Sequence, residues 1–193
     1  LFIDQFTGTF EDAIVDATLA LSDEGDLRPT GPRIAERAEV SVRSIFQHFD
    51  DLDALFSAVG VRVVDRIAGL IRPIDPGDPQ DQRTAAFLEQ RTSVLESLTP
   101  VLRAALVHAA SSTVIRGQFE HGHQFLVAQV DQVFAQEIAA AGGRGTTLRD
   151  GLVVAVSWPS WDMLRGPQGR SVDEAREVVE VMVRALLASA PPA

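Results

Sequence analysis

From Phe10 to Leu187 the apolar residues return every three or four positions, and nowhere does an alternation of period two persist. A chain patterned this way buries one stripe per helix and has no half-buried strands to pair, which predicts an all-α fold. An apolar fraction of 46% over 193 residues supplies enough side chains for a core. No uninterrupted apolar run approaches the roughly 18 residues that a spanning helix needs, and no basic-then-apolar leader opens the chain. Cysteine is absent, which removes disulfides, thiol nucleophiles and Cys-based zinc sites. The expectation is a cytoplasmic chain without a membrane partner.

Capping residues and helix breakers divide the pattern. A first helix is predicted over about Phe10 to Asp23, with Ile14, Ala17, Thr18 and Leu21 inward and Gly25 just past its end. Thr30 is expected to cap a second helix that carries Pro32 in its first turn and stops near Glu39. Ser41 then caps a third, to about His48, burying Ile45 and Phe49. Asp51 caps a long fourth helix whose stripe is Leu52, Leu55, Phe56, Val59, Val63, Ile67 and Ile71, ended by Pro73. "PIDPGDPQD", from Pro73 to Asp81, is a loop. Helices are predicted over residues 82–98, 100–116 and 118–141, the last broken by "GGRG", and over 147–164, which contains Pro159. The final helix opens on a capping box of Ser171 and Glu174 and runs into a Ser/Ala/Pro tail expected to fray.

Three short helices, the second and third about three residues apart, follow the helix-turn-helix plan, in which one helix crosses a nucleic-acid backbone and the next enters the major groove. Ala35 is small where the helices cross, and Val40 and Ile45 set their angle. The run "IAERAEVSVRSIFQHFDDLDALF" resembles the signature of TetR-family transcriptional repressors, approximately I-A-x-x-A-G-V-S-x-x-x-(I/L)-(Y/F)-x-H-F-x-x-K-x-x-L. The resemblance covers Thr30 to Val59, and the layout of the remaining helices agrees with it. It implies a three-helix DNA-binding head over residues 1–50, then a helical ligand-sensing and dimerisation body over residues 51–193, joined by a connecting helix at about 51–72.

Around the buried Ile45, the residues Val42, Arg43, Ser44, Gln47 and His48 project outward. Arg43 suits guanine O6 and N7, Gln47 suits adenine N6 and N7, and Val42 suits a thymine methyl. Thr30, Arg33, Ser44 and His48 are expected on phosphates, aided by the free N–H groups that begin the second and third helices. Three departures weaken the pattern: Glu39 stands at the turn glycine, Phe46 at the usual tyrosine and Leu52 at the usual lysine. Glu39 is thereby pressed toward a left-handed backbone at a cost of about 1 kcal/mol. The charge is also adverse, since residues 1–60 carry twelve acids against four arginines within a chain of net charge −10. The acids of the first helix, Asp12, Asp16 and Asp23, are expected to face away from DNA, and binding is expected to be weak or strongly salt-sensitive. A basic arm ahead of Leu1, where the sequence opens without Met, would add cations.

Further implications concern the body. The family pairs its last two helices across a homodimer, which here would use Leu152, Val156, Trp161, Val178, Val179, Met182 and Leu186. A small, mostly apolar effector would lie among Phe87, Arg91, Leu95, Leu106, His108, Phe119, Phe125 and Trp158, aromatic walls with few polar anchors. The implied function is a ligand-responsive regulator, a repressor released from a palindromic operator on double-stranded DNA, without cofactor or metal. Enzyme readings fare poorly. His121 and His123 sit two apart on opposite sides of a helix, "GGRG" lacks the Lys and Ser/Thr of a phosphate-binding loop, and no nucleophile motif is present. The competing reading is a dimeric module that binds a small molecule or a protein, its head having lost DNA affinity; Glu39, Phe46, Leu52 and the acidic head favour it.

Overall fold

The computed structural model describes residues 4–189, with side chains from Phe10 onward. Helices α1 (Asp4–Asp23), α2 (Gly31–Arg37), α3 (Val42–His48), α4 (Leu52–Ala68), α5 (Gln80–His108), α6 (Thr113–Val133), α7 (Ala135–Ala140), α8 (Gly145–Ala155), α9 (Trp158–Arg165) and α10 (Val172–Ala188) are joined by loops and one 3-10 turn (Gly142–Arg144), with no strand among the described residues. The expected fraying of the tail concerns residues 190–193, outside the described residues. No helix is long and apolar enough to cross a membrane, among the described residues.

The chain packs as two units. The first comprises Leu1–Gly69 and Leu98–Glu120, and the second Leu70–Ser97 and His121–Ala193. In the first, Ile14, Leu21, Ile34, Ala35, Ile45, Phe49, Leu55, Val59 and Val101 form one core. Thr18, on the same face of α1, is buried without penalty because its hydroxyl donates to the Ile14 carbonyl at 2.8 Å. In the second, Phe87, Leu95, Val130, Phe134, Leu152, Val156, Trp161, Val179 and Val183 share another. Phe87 meets Phe134 edge to face at 5.5 Å. The first unit extends past residue 50 to take in α4, the end of α5 and the start of α6.

Several predicted caps form. Ser41 accepts from the Ser44 amide at 3.0 Å, Asp51 from the Ala54 amide at 2.8 Å, and Ser171 and Glu174 close a capping box. Past α1, Gly25 adopts φ +90°, its amide donating to Ser22 and that of Asp26 to Leu21, as a left-handed helix end requires.

Several boundaries differ from expectation. Thr30 has the extended backbone of a cap, but its hydroxyl accepts no amide. α4 ends at Ala68, short of residue 72. α5 runs unbroken through Pro100, although that proline removes one backbone donor. Val94 and Leu95 before it and Val101 and Ala104 after it are all buried, and this packing outweighs the lost bond. Ser112 therefore becomes the start signal of α6, accepting from the Ile115 amide at 3.2 Å. The helix expected over 118–141 breaks at Phe134, where the Arg83 guanidinium donates to the Val133 carbonyl left by the break. The helix expected over 147–164 divides into α8 and α9 at Ser157, which puts Pro159 in the first turn of α9, where its missing N–H breaks no helical bond. Arg91 Nε takes the Val156 carbonyl at 2.9 Å and Ser157 Oγ that of Val154 at 2.8 Å.

Candidate nucleic-acid interface

The geometry of α2 and α3 is set by two buried anchors and one strained turn. Ile34 and Ala35 fix α2 to the core, and Ile45, 1% exposed, fixes α3. Between them Glu39 adopts φ +56°. The Val40 amide donates to Ala35 and the Glu39 amide to Glu36, so Glu39 fills the left-handed position of the helix end that glycine ordinarily takes. The turn keeps its shape at the cost of backbone strain.

With Ile45 and Phe49 inward, α3 turns Val42, Arg43, Phe46 and Gln47 to solvent. Ser44 is half-buried, its hydroxyl 2.8 Å from that of Ser41. His48 is more occupied than its sequence position suggests. Its ring stacks on Phe10 with centroids 6.0 Å apart, and Nδ1 lies 3.6 Å from Glu11 Oε1, which ties α3 to α1.

Electrostatic pairing sorts the arginines of the first unit. Arg33 Nη1 reaches Asp26 Oδ2 at 2.6 Å. Arg37 grips both oxygens of Glu24, and its hydrogen bonds hold that carboxyl below the usual carboxylate range. From α4, Arg62 engages Asp12 and Asp16, and Arg66 engages Asp23 at 2.8 Å. Asp12, Asp16 and Asp23 of α1 are thus matched by α4 cations, an arrangement invisible in sequence because it joins residues more than forty positions apart. Arg28 and Arg43 have no carboxylate partner among the described residues. The cation named for a guanine therefore remains available, whereas Arg33, named for a phosphate, is held by Asp26.

In the second unit a cavity of about 320 Å³ is lined by Ile71, Arg72, Pro73, Ile74, Phe87, Gln90, Phe125, Gln129, Gln132 and Val133. Of the eight residues expected around an effector, it gathers Phe87 and Phe125. Leu95 is core, Trp158 packs against that core, and Arg91 anchors the end of α8, burial pushing its guanidinium down to about 10. Leu106, His108 and Phe119 belong to the first unit, where Leu106 is exposed and His108 lies 5.1 Å from the Phe56 ring. The glutamines were missed, although Gln129 and Gln132, three apart beside buried Val130 and Val133, carry the spacing of a polar lining. One wall rests on a buried pair, Arg83 with Glu137. Burial pushes the Glu137 carboxyl up, but the Arg83 hydrogen bonds and charge, with help from its own backbone and Gln80, outweigh this and leave it below its ordinary value.

Among the residues expected at a dimer surface, Leu152, Val156, Trp161 and Val179 lie in the core of the chain's own second unit. Met182 and Leu186 pack against it, and Val178 is exposed. The outward apolar residues of the last three helices are instead Val154 on α8, Met163 on α9, and Val178 and Val181 on α10.

Residues 14–59 match the model of the family described as bacterial regulatory proteins, tetR family. Two solved structures are similar over nearly the whole chain. A transcriptional regulator from Rhodococcus sp. Rha1 has a TM-score of 0.72 at 17% identity, covering 97% of this chain and 98% of that one. A protein from Pseudomonas aeruginosa PAO1, whose description as a transcriptional regulator is itself an inference, has a TM-score of 0.64 at 22% identity, covering 93% and 90%. At such identities the likeness is one of fold. No curated protein matches the chain.

Proposed function

We propose that this chain, whose residues 14–59 belong to the tetR family of bacterial regulatory proteins and make it a DNA-binding transcriptional regulator, acts as a homodimeric repressor released from a palindromic operator by a small, mostly apolar effector. The observation that carries the reading is the outward row of α3, where Arg43 and Gln47 stand four apart and Arg43 is free of carboxylate partners among the described residues, while Asp12, Asp16 and Asp23 of α1 are occupied by Arg62 and Arg66. Arg43 can fork onto guanine and Gln47 onto adenine, with Val42 beside them. Thr30 and Ser44 supply hydroxyls to phosphates, and Arg33 and His48 would join them only by leaving Asp26 and Glu11.

Two heads reach successive major grooves on one side of a duplex when about 34 to 36 Å apart. The division into a reading head, residues 1–50, and a sensing and dimerising body, residues 51–193, follows this use rather than the packing. Val154, Val178 and Val181 present an apolar strip on α8 and α10 suited to a second copy. The effector's place is the cavity beside Phe87 and Phe125, a volume at the small end for organic ligands. Binding there that favours the wrong head spacing by about 1 to 3 kcal/mol lowers operator affinity by a factor of about 5 to 150.

The test is fluorescence anisotropy on duplexes from the DNA flanking the chain's own gene, with sedimentation at the same concentrations. A dimer with saturable, palindrome-dependent binding is expected, and Arg43→Ala should cost about 1 to 3 kcal/mol while relaxing preference at one base pair. Equal weakening on every sequence would place Arg43 on the backbone instead. Indifference of the intact dimer to all sequences would favour the second reading, a ligand- or protein-binding module, to which exposed Phe46 and Leu52 already lend support.

A further inference from the structure

We propose that Phe46, with Val42, is a specificity-determining residue that reads thymine methyl groups, so that the head selects its sequence by apolar contact as much as by hydrogen bonds. The proposal rests on the operator-binding reading above and adds what the operator must contain. Val42 and Phe46 lie four apart on α3 and therefore share one side of the helix. They are 38% and 53% exposed, flanking the face of the helix that Ile45 and Phe49 bury. The Arg43 and Gln47 row runs beside them at the same spacing. A groove that takes Arg43 and Gln47 onto base edges thus brings an aromatic ring and a branched alkyl group to neighbouring base pairs.

The chemistry narrows what those two side chains can meet. Phe46 has no hydroxyl, so it cannot donate to a phosphate, and Val42 has no polar atom beyond its backbone. In the major groove the apolar feature that a base edge offers is the C5-methyl of thymine. The charge arrangement points the same way. Arg33, Arg37, Arg62 and Arg66 are all engaged by carboxylates, so attraction to phosphate is small and affinity must draw on the bases. Burying one methyl-sized group is worth about 0.8 kcal/mol, close to a fourfold change in affinity.

The test begins with in vitro selection of duplexes from a random pool by the full chain, followed by replacement of each thymine in the selected site by uracil. That exchange deletes the C5-methyl and keeps every hydrogen-bonding group. One or more thymines adjacent to the base pair relaxed by Arg43→Ala should appear in each half-site, and uracil there should weaken binding by about fourfold per methyl. Phe46→Ala should bind thymine and uracil duplexes alike at the position it reads, and Phe46→Leu should retain part of the difference. Circular dichroism and the thermal midpoint establish that both variants are folded, as expected for a side chain half in water. If uracil is tolerated at every position, or Phe46→Ala remains as sensitive to it as the parent, methyl reading is wrong while operator binding stands. If selection enriches no sequence, operator binding itself fails and this proposal with it.

Discussion

Glu39 shows what one residue can bear when its neighbours dictate the backbone. Its φ of +56° is forced by the hydrogen bonds of Glu39 and Val40 back to α2 and by the anchors Ile34 and Ile45 on either side. Left-handed backbone costs a residue with a Cβ roughly 1 to 2 kcal/mol, partly offset because glycine loses more entropy on folding. Glu39→Gly should accordingly raise stability by up to about 1 kcal/mol, seen as a higher midpoint in urea unfolding with unchanged slope; a lower midpoint would mean that the Glu39 side chain makes contacts that matter more than strain. The need for this conformation was readable from the motif, because the position is fixed by the length of the turn. The fate of Arg33 was not, because its partner Asp26 lies outside the helix and its approach depends on how the preceding loop folds back.

At the scale of elements, local signals located the starts of helices better than their ends. Ser41, Asp51 and Ser171 cap as their sequence neighbourhoods predict, because a cap needs only the next three residues. Interior breaks are decided by packing. Pro100 sits inside α5, whereas Pro159 begins α9, although both follow helical patterns. The turn between α7 and α8 adds a constraint on glycine that breaker statistics alone do not give. A Cβ on Gly145 would stand 2.5 Å from the Ile138 carbonyl oxygen, and backbone cannot move aside as a flexible side chain can. Gly145→Ala should therefore cost about 1 to 3 kcal/mol, the usual range for overpacking, measured as a lowered thermal midpoint. Gly143→Ala is the matched control, since no atom lies within 4 Å of the Cβ it would gain. A Gly145→Ala midpoint equal to that of the control would show that α7 and α8 can part without penalty.

For the whole molecule the decisive quantity is where charge stands, not its sum. The net charge of −10 alone suggests feeble, salt-ruled binding to a polyanion. With Arg33, Arg37, Arg62 and Arg66 already neutralised inside the protein, few counterions remain to be displaced from DNA. Each neutralised phosphate adds about −0.9 to the slope of log affinity against log salt, so two heads offering Arg28 and Arg43 should give a slope no steeper than about −4. A markedly steeper slope in an anisotropy titration from low to moderate salt would mean that Arg33 and Arg37 abandon Asp26 and Glu24 for phosphate. By itself the sequence determined the all-α fold, the three-helix head and the residues ringing Ile45, because spacing along a helix fixes its faces and a cap fixes its start. Tertiary structure alone decided which arginines stay available, which proline breaks a helix, and which glutamines and phenylalanines share a cavity. Those outcomes turn on groups brought together from distant parts of the chain, and local spacing carries no record of such meetings.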